Sequence, residues 1–478
     1  MFNKAFVATL LVPAFLATGA YAKDTYEFES RFDGQSSVGY DGQAFRQVLI
    51  NDMKSYMSSL KSGAYEGTIE EAYLSLDSYY SYFWDNQNQN PGVIYGYAQF
   101  GVTARDLNGY RMDTKGLYYA DLQDPGKQLR NKTAGNDNPL RRLGLKGWNL
   151  NKFYGQDLKA MESDKAGDGF VEPEDLVDAW MRVMANNLVD GDSFTISNGD
   201  QPAQTYNNAN LTPNGWDLSQ LTQKLLHGAV SYSQAARDYM STDLGSSKGL
   251  NADNENQYKG SRNYTALEHH WDEGFGYFGA ARDYLRYSKS QIKSGRSIDT
   301  NGDGQIDLLS EKNQGISRNS AKRDLDSIVD NDLTGRVMKA FIAGRQLIQD
   351  KPEGYREQLK VQSQIALDAW EKTIAATVIH YINDTVKDMD AYGTSAYSFS
   401  NHAKHWGEMK GYALAFQFSP ISSVDDQTFD LVHTLMADQP VLGSAGPAAM
   451  AQYRKDLLQA RELLKDAFNF NVENVRNW

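Results

Sequence analysis

The chain has no cysteine, so it can form no disulfide, offers no thiolate to a metal and carries no N-terminal cysteine for lipidation. Histidine and tryptophan are scarce, with 7 and 8 copies in 478 residues. Basic residues are outnumbered, 48 against 61 acidic ones, and this balance argues against nucleic acid or an anionic membrane as a partner. Strand-like alternation is scarce. No stretch after the first 22 residues reaches the roughly 18 uninterrupted apolar residues of a membrane helix, so no membrane span is expected in the mature chain.

The first 22 residues read as an export signal. Lys4 supplies the positive start, Ala5 to Gly19 the apolar core and Ala20-Tyr21-Ala22 a small-x-small cleavage site. A periplasmic or secreted protein is expected, held together by its core alone. Residues 23–41 read as an extended lead-in. Helical spacing of apolar residues then predicts helices over 42–60 and 68–83, an irregular insert over 85–150, and further helices over 154–162, 173–188, 216–242 and 262–288. The series continues at 318–350, 354–389, 399–417 and 446–469. The expected fold is an all-α helical bundle with long irregular loops. It is divided into a first helical half (42–290) and a second (318–478) by a connecting loop over 291–317.

The division follows from a recurrence. His270-Trp271-Asp272-Glu273 … Gly276-Tyr277 and His405-Trp406-Gly407-Glu408 … Gly411-Tyr412 both fit His-Trp-x-Glu-x-x-Gly-Tyr, and His269 and His402 stand beside them. On a helix, residues three and four apart share a face, so each copy presents an imidazole and a carboxylate together. Two such helices side by side would gather His270, Glu273, His405 and Glu408, with His269 and His402, around a transition metal. Nitrogen and oxygen donors without thiolate suit iron, zinc or manganese alike. His227, and His380 with Asp384 one turn beyond it, are candidates for a third ligand. The competing reading makes each pair a core hydrogen bond, with the tryptophans and tyrosines as packing anchors.

Calcium is expected at two loops. Asp299, Asn301 and Asp303 alternate as oxygen ligands, Gly304 makes the sharp turn, Gln305 offers its carbonyl and Asp307 a ninth-position oxygen. Ser310 occupies the twelfth position, where a bidentate acid belongs, and Glu311 comes one residue late. The second loop runs from Asp164 through Asp168, Gly169 and the Phe170 carbonyl to Glu172 and Asp175, with Ala166 removing the third ligand.

Taken together, Gln35–Gln43 with Arg46–Ile50, Leu129–Gly135, Glu268–Glu273 and His405–Lys410 resemble the hallmarks of a bacterial family of exported proteins, a domain of unknown function associated with imelysin-like iron-uptake proteins. Imelysin-like proteins are helical bundles with a Gly-x-His-x-x-Glu motif assigned to metal binding. His270/Glu273 and His405/Glu408 match its His-x-x-Glu part, and the preceding glycine is absent. The resemblance implies an iron-linked periplasmic role, with an outer-membrane or periplasmic uptake component as partner. The leading expectation is therefore a metal-binding protein of iron or other transition-metal acquisition with calcium-stabilised loops, with an enzyme disfavoured but left open. The rivals are a metal-dependent hydrolase using the His-x-x-Glu pairs and a calcium-stabilised surface or carbohydrate-interaction protein. No His-Glu-x-x-His, Gly-x-Ser-x-Gly or phosphate-loop motif favours the hydrolase.

Overall fold

The computed structural model describes residues 23–81, 113–115, 127–135, 142–148, 171–242 and 249–478. The expected export signal over 1–22, most of the insert expected over 85–150 and the helix expected over 154–162 lie outside these residues. The chain is an all-α helical bundle. Its long central member has no Gly or Pro inside it, and glycines with positive φ bound both ends. Gly354 precedes Tyr355–Ala391 and Gly393 follows it.

In chain order the other long helices are α1 (Asp41–Ser59), α2 (Ile69–Tyr80), α3 (Pro173–Asp190), α4 (Leu218–Leu226), α5 (Ala266–Phe278) and the short α6 (Lys289–Ser294). Then come α7 (Gly315–Leu325), α8 (Leu333–Asp350), the central α9 (Tyr355–Ala391), α10 (Phe399–Ala413), α11 (Asp426–Met436), α12 (Pro447–Phe468) and α13 (Val472–Asn477). Strands are few: a parallel pair of three-residue strands, β1 (Asp113–Lys115) and β4 (Gln305–Asp307), and a hairpin of β2 (Phe194–Asn198) and β3 (Gln201–Tyr206). One apolar cluster runs without a break from Tyr26 to Trp478, with Trp180, Trp271, Trp370 and Trp406 fully buried in it. Among the described residues, no helix is long and apolar enough to cross a membrane.

Several boundaries differ from the periodicity. The helix expected over 262–288 stops at Phe278, because Gly279 turns left-handed (φ +80°) with its Cα close to the Gln314 carbonyl. The helix expected over 318–350 is two. Asp332 adopts a left-handed conformation (φ +42°), and Asp324 takes the Leu333 and Thr334 N–H groups at 2.8 and 2.9 Å, capping the start of α8. After α4 the stretch expected over 216–242 continues as π-type turns over His227–Tyr232 and Ala235–Tyr239. The hairpin and α11 arise where long polar connections or nothing regular was expected.

The extended lead-in is held by a buried ion cluster. Arg345 on α8 is fully buried; its Nη1 reaches Glu268 Oε1 at 3.1 Å and its Nε reaches Asp272 Oδ1 at 3.0 Å, both on α5. Its Nη2 donates to Ser37 Oγ at 2.7 Å. Tyr26 OH donates to Asp272 Oδ1 at 2.7 Å, and the Gly39 N–H to its other oxygen at 3.0 Å. Burial opposes the charge of Arg345, but the two carboxylates outweigh it and hold the guanidinium above its ordinary range. Removing one member of a buried charge cluster leaves the rest uncompensated, at a cost of about 3–5 kcal/mol. Arg345→Met is expected to lose that much stability in urea denaturation. A loss under about 1 kcal/mol would show that the cluster is not what fixes the lead-in.

Candidate functional site

The first His-Trp copy sits on α5, started by a reciprocal cap between Thr265 and Glu268. His270 is buried, with Nδ1 at 3.5 Å from the Gly249 carbonyl and its ring 6.1 Å from that of Tyr239. Glu273 accepts from Gln43 Nε2 on α1 at 2.7 Å and lies 3.6 Å from His269 Nε2. His269 in turn donates through Nδ1 to the Gly39 carbonyl at 2.8 Å and stacks on Tyr264. Burial pushes both imidazoles down and the Glu273 carboxyl up, so the group leans toward its neutral forms.

The second copy sits on α10. His402 is buried, with Nδ1 3.4 Å from Tyr397 OH. Glu408 accepts from Tyr381 OH at 2.9 Å and from Lys224 Nζ at 3.2 Å, on the wall of a polar cavity of about 430 Å³. His405 faces α9 instead. Its Nδ1 donates to Asp388 Oδ2 at 2.7 Å, and its Nε2 stands 3.9 Å from Asp384 Oδ2. The same Asp384 oxygen is 3.3 Å from His380 Nε2.

The two copies do not share a point. α5 packs on α1 and α8, whereas α10 packs on α4 and α9, and each motif's His and Glu spend their contacts on those separate neighbours. The expected convergence of His270, Glu273, His405 and Glu408 is replaced by a smaller cluster of His405 with His380, Asp384 and Asp388. His380, Asp384 and Asp388 are spaced i, i+4, i+8 and form one stripe of α9. Only the first two were singled out from sequence; Asp388 went unnoticed, although the same spacing pointed to it. Among the described residues, no group of three or more His, Asp or Glu side chains is placed so that it could hold a metal ion as it stands.

The Asp299–Asp307 loop closes on itself. Asp299 accepts the N–H groups of Gly302 and Gly304 at 2.7 and 2.8 Å, and Asn301 and Asp303 each accept from the backbone two residues on. Glu311, one residue past the twelfth position, turns inward. Its two oxygens take the Thr300, Asn301 and Asp307 N–H groups at 2.7, 3.2 and 2.8 Å. In the second loop Asp164, Asp168 and Phe170 lie outside the described residues. Glu172 and Asp175 form a reciprocal cap at the start of α3, and Glu172 also pairs with Arg142. Burial pushes Asp175 up to about 7.

For His405, burial opposes the charge, but the Asp388 hydrogen bond and the charges of Asp388, Asp384 and Glu408 outweigh it and hold the imidazole above its ordinary range. A raised histidine contributes stability below about pH 6.5 that is lost as pH rises through the folded-state value. Asp388→Asn is therefore expected to lower the His405 titration midpoint by NMR and to cost more stability at pH 5.5 than at pH 8. An unmoved midpoint would refute the pairing.

The chain belongs to the family described as domain of unknown function DUF4856, whose profile matches residues 177–438. That span is more than half of the chain and holds both His-Trp copies, the α9 stripe and the Asp299–Glu311 loop. Comparison with curated proteins and with solved structures gave no match.

Proposed function

We propose that this member of the DUF4856 family binds a transition-metal ion through His380, Asp384 and His405 and handles that metal outside the cytoplasm. One observation carries the reading: two imidazole Nε2 atoms turn on the same carboxylate oxygen, at 3.3 and 3.9 Å. With metal–ligand bonds of about 2.0–2.1 Å, neighbouring donors of a tetrahedral site stand roughly 3.3–3.4 Å apart. The His380–Asp384 edge already has that length, and the His405 edge needs a movement of about half an ångström. Asp388 on Nδ1 orients His405 and leaves Nε2 for the ion, the role a carboxylate takes behind a metal-bound histidine.

The donor set of two nitrogens and an oxygen suits iron, zinc or manganese. All four side chains are between 15 and 30 % exposed, so an ion from solvent reaches them. Burial, with Arg323 and His405 nearby, pushes His380 down to about 3, so it offers a free nitrogen at neutral pH. The reading of residues 1–22 as an export signal and the resemblance to families associated with imelysin-like proteins favour iron and a periplasmic uptake partner. Calcium fits the proposal as a clamp on the Asp299–Glu311 loop, through Asp299, Asn301, Asp303, the Gln305 carbonyl and Asp307.

Elemental analysis of the native protein, purified without a histidine tag, checks this. About one iron, zinc or manganese per chain is expected, lost in His380→Ala and in His405→Ala but kept in His270→Ala. Because the ion competes with the proton on His405, uptake should strengthen from pH 6 to pH 8. Metal content unchanged in both α9–α10 variants would overturn the assignment.

A further inference from the structure

The cavity beside Glu408 has a composition at odds with the chain around it. It opens between α1, α4, α7 and α10, and no Leu, Ile, Val, Met or Phe lines it. In a chain with a surplus of acidic residues, six cations face this one hollow: Lys54, Lys224, Lys312, Arg318, Lys322 and Lys404. Two carboxylates, Asp52 and Glu408, share the wall, and among the described residues Lys224 alone of the six is ion-paired, to Glu408 at 3.2 Å. Among the described residues, no carboxylate pairs with the other five. Lys312 and Arg318 satisfy themselves in part on backbone carbonyls, those of Gly295 at 3.3 Å and Lys293 at 3.0 Å. Burial, and then the neighbouring Arg318, push Lys312 and Lys322 down to about 8. Crowding like charges in a concave site raises the local potential and costs folding stability unless something neutralises it.

Residues of the walls also hold buried polar atoms with no hydrogen-bond partner. Asn313 Nδ2 and Arg318 Nε are buried donors without a partner, and Gln220 Oε1 and Glu408 Oε2 are buried acceptors without one. His227, held by the first π-type turn, adds Nδ1, also unpartnered. α7 begins at Gly315 on the same wall, which adds the positive end of its dipole. Buried polar atoms are almost always satisfied, so their number here adds to the polarity of a basic hollow. An occupant of it must bring negatively charged oxygens for the cations.

We infer that this cavity binds a small polyanionic metabolite, one with two or more carboxylate or phosphate groups. Arg318, Lys322, Lys404 and Lys312 take the charged oxygens. The volume of about 430 Å³ suits a single small molecule and excludes a polymer. The cavity residues are not those of the His380–Asp384–His405 cluster, and the inference does not rest on that assignment.

Isothermal titration at low salt and pH 7 with citrate, inorganic phosphate and a hexose 6-phosphate, with the neutral hexose as control, tests the inference. At least one of the three anions is expected to bind, more weakly as salt rises, while the neutral sugar does not. The order among them tells a polycarboxylate site from a phosphate ester site. Lys322→Gln with Lys404→Gln is expected to weaken binding roughly tenfold to a hundredfold. The same double variant, free of ligand, should melt no lower than the native chain, since it relieves repulsion and breaks no hydrogen bond. No heat with any of the three anions, or equal affinity in the double variant, would overturn the inference.

Discussion

The arrangement depends first on Arg345. A guanidinium with no exposure to water holds Glu268 and Asp272 of α5, and through them Tyr26, Ser37 and Gly39 of the lead-in, against α8. Loss of Arg345 would leave Asp272 buried without a cation and Glu268 with the partly exposed Arg31 alone, 3.2 Å away. Its effect is positional. It fixes the direction of α5, and with it which neighbours His270 and Glu273 meet. Those neighbours are Gln43, His269 and Tyr239, all within the same corner of the bundle.

The two His-Trp copies are alike in packing and unlike in polar partners. Trp271 and Trp406 are both fully buried, and each donates its indole N–H to a buried oxygen, the Phe341 carbonyl in one case and Tyr453 OH in the other. Gly276 and Gly411 both permit close approach, to Tyr40 and Gln43 of α1 and to Lys224 of α4. The x position separates them. Asp272 is absorbed by Arg345, whereas Gly407 at the matching place leaves α10 free of such a clamp and lets it approach Asp217 and Leu221 of the α4 segment. One copy therefore spends its acids on holding the fold, and the other turns His405 to the α9 carboxylates and Glu408 to Tyr381 of α9, Lys224 of α4 and the basic cavity.

Much of this was legible in the sequence. The 37-residue α9, free of Gly and Pro, and the helices α1, α3, α10 and α12 follow directly from apolar spacing. The breaks at Gly279 and Asp332 do not, since they depend on what the backbone meets in the fold: the Gln314 carbonyl and the Asp324 carboxylate. The repeated motif was visible, but its two copies meet different neighbours, because a spacing rule says which side chains share a face and not which helix that face meets. The basic cavity was invisible for a related reason. Its cations come from four separated stretches, and the surplus of acid over the whole chain hides them. Glu311 shows a smaller case: counting positions placed it one residue too late, and the turn after Asp307 brings it back into the loop.

The central claim is that an ion sits between α9 and α10 and not between the two His-Trp helices. Anomalous diffraction from crystals soaked with manganese or zinc locates the ion without relying on any variant. The account predicts a peak within about 2.0–2.2 Å of His380 Nε2, His405 Nε2 and an Asp384 oxygen. A peak beside His270 and Glu273, or none near His405 at full soaking, would contradict it.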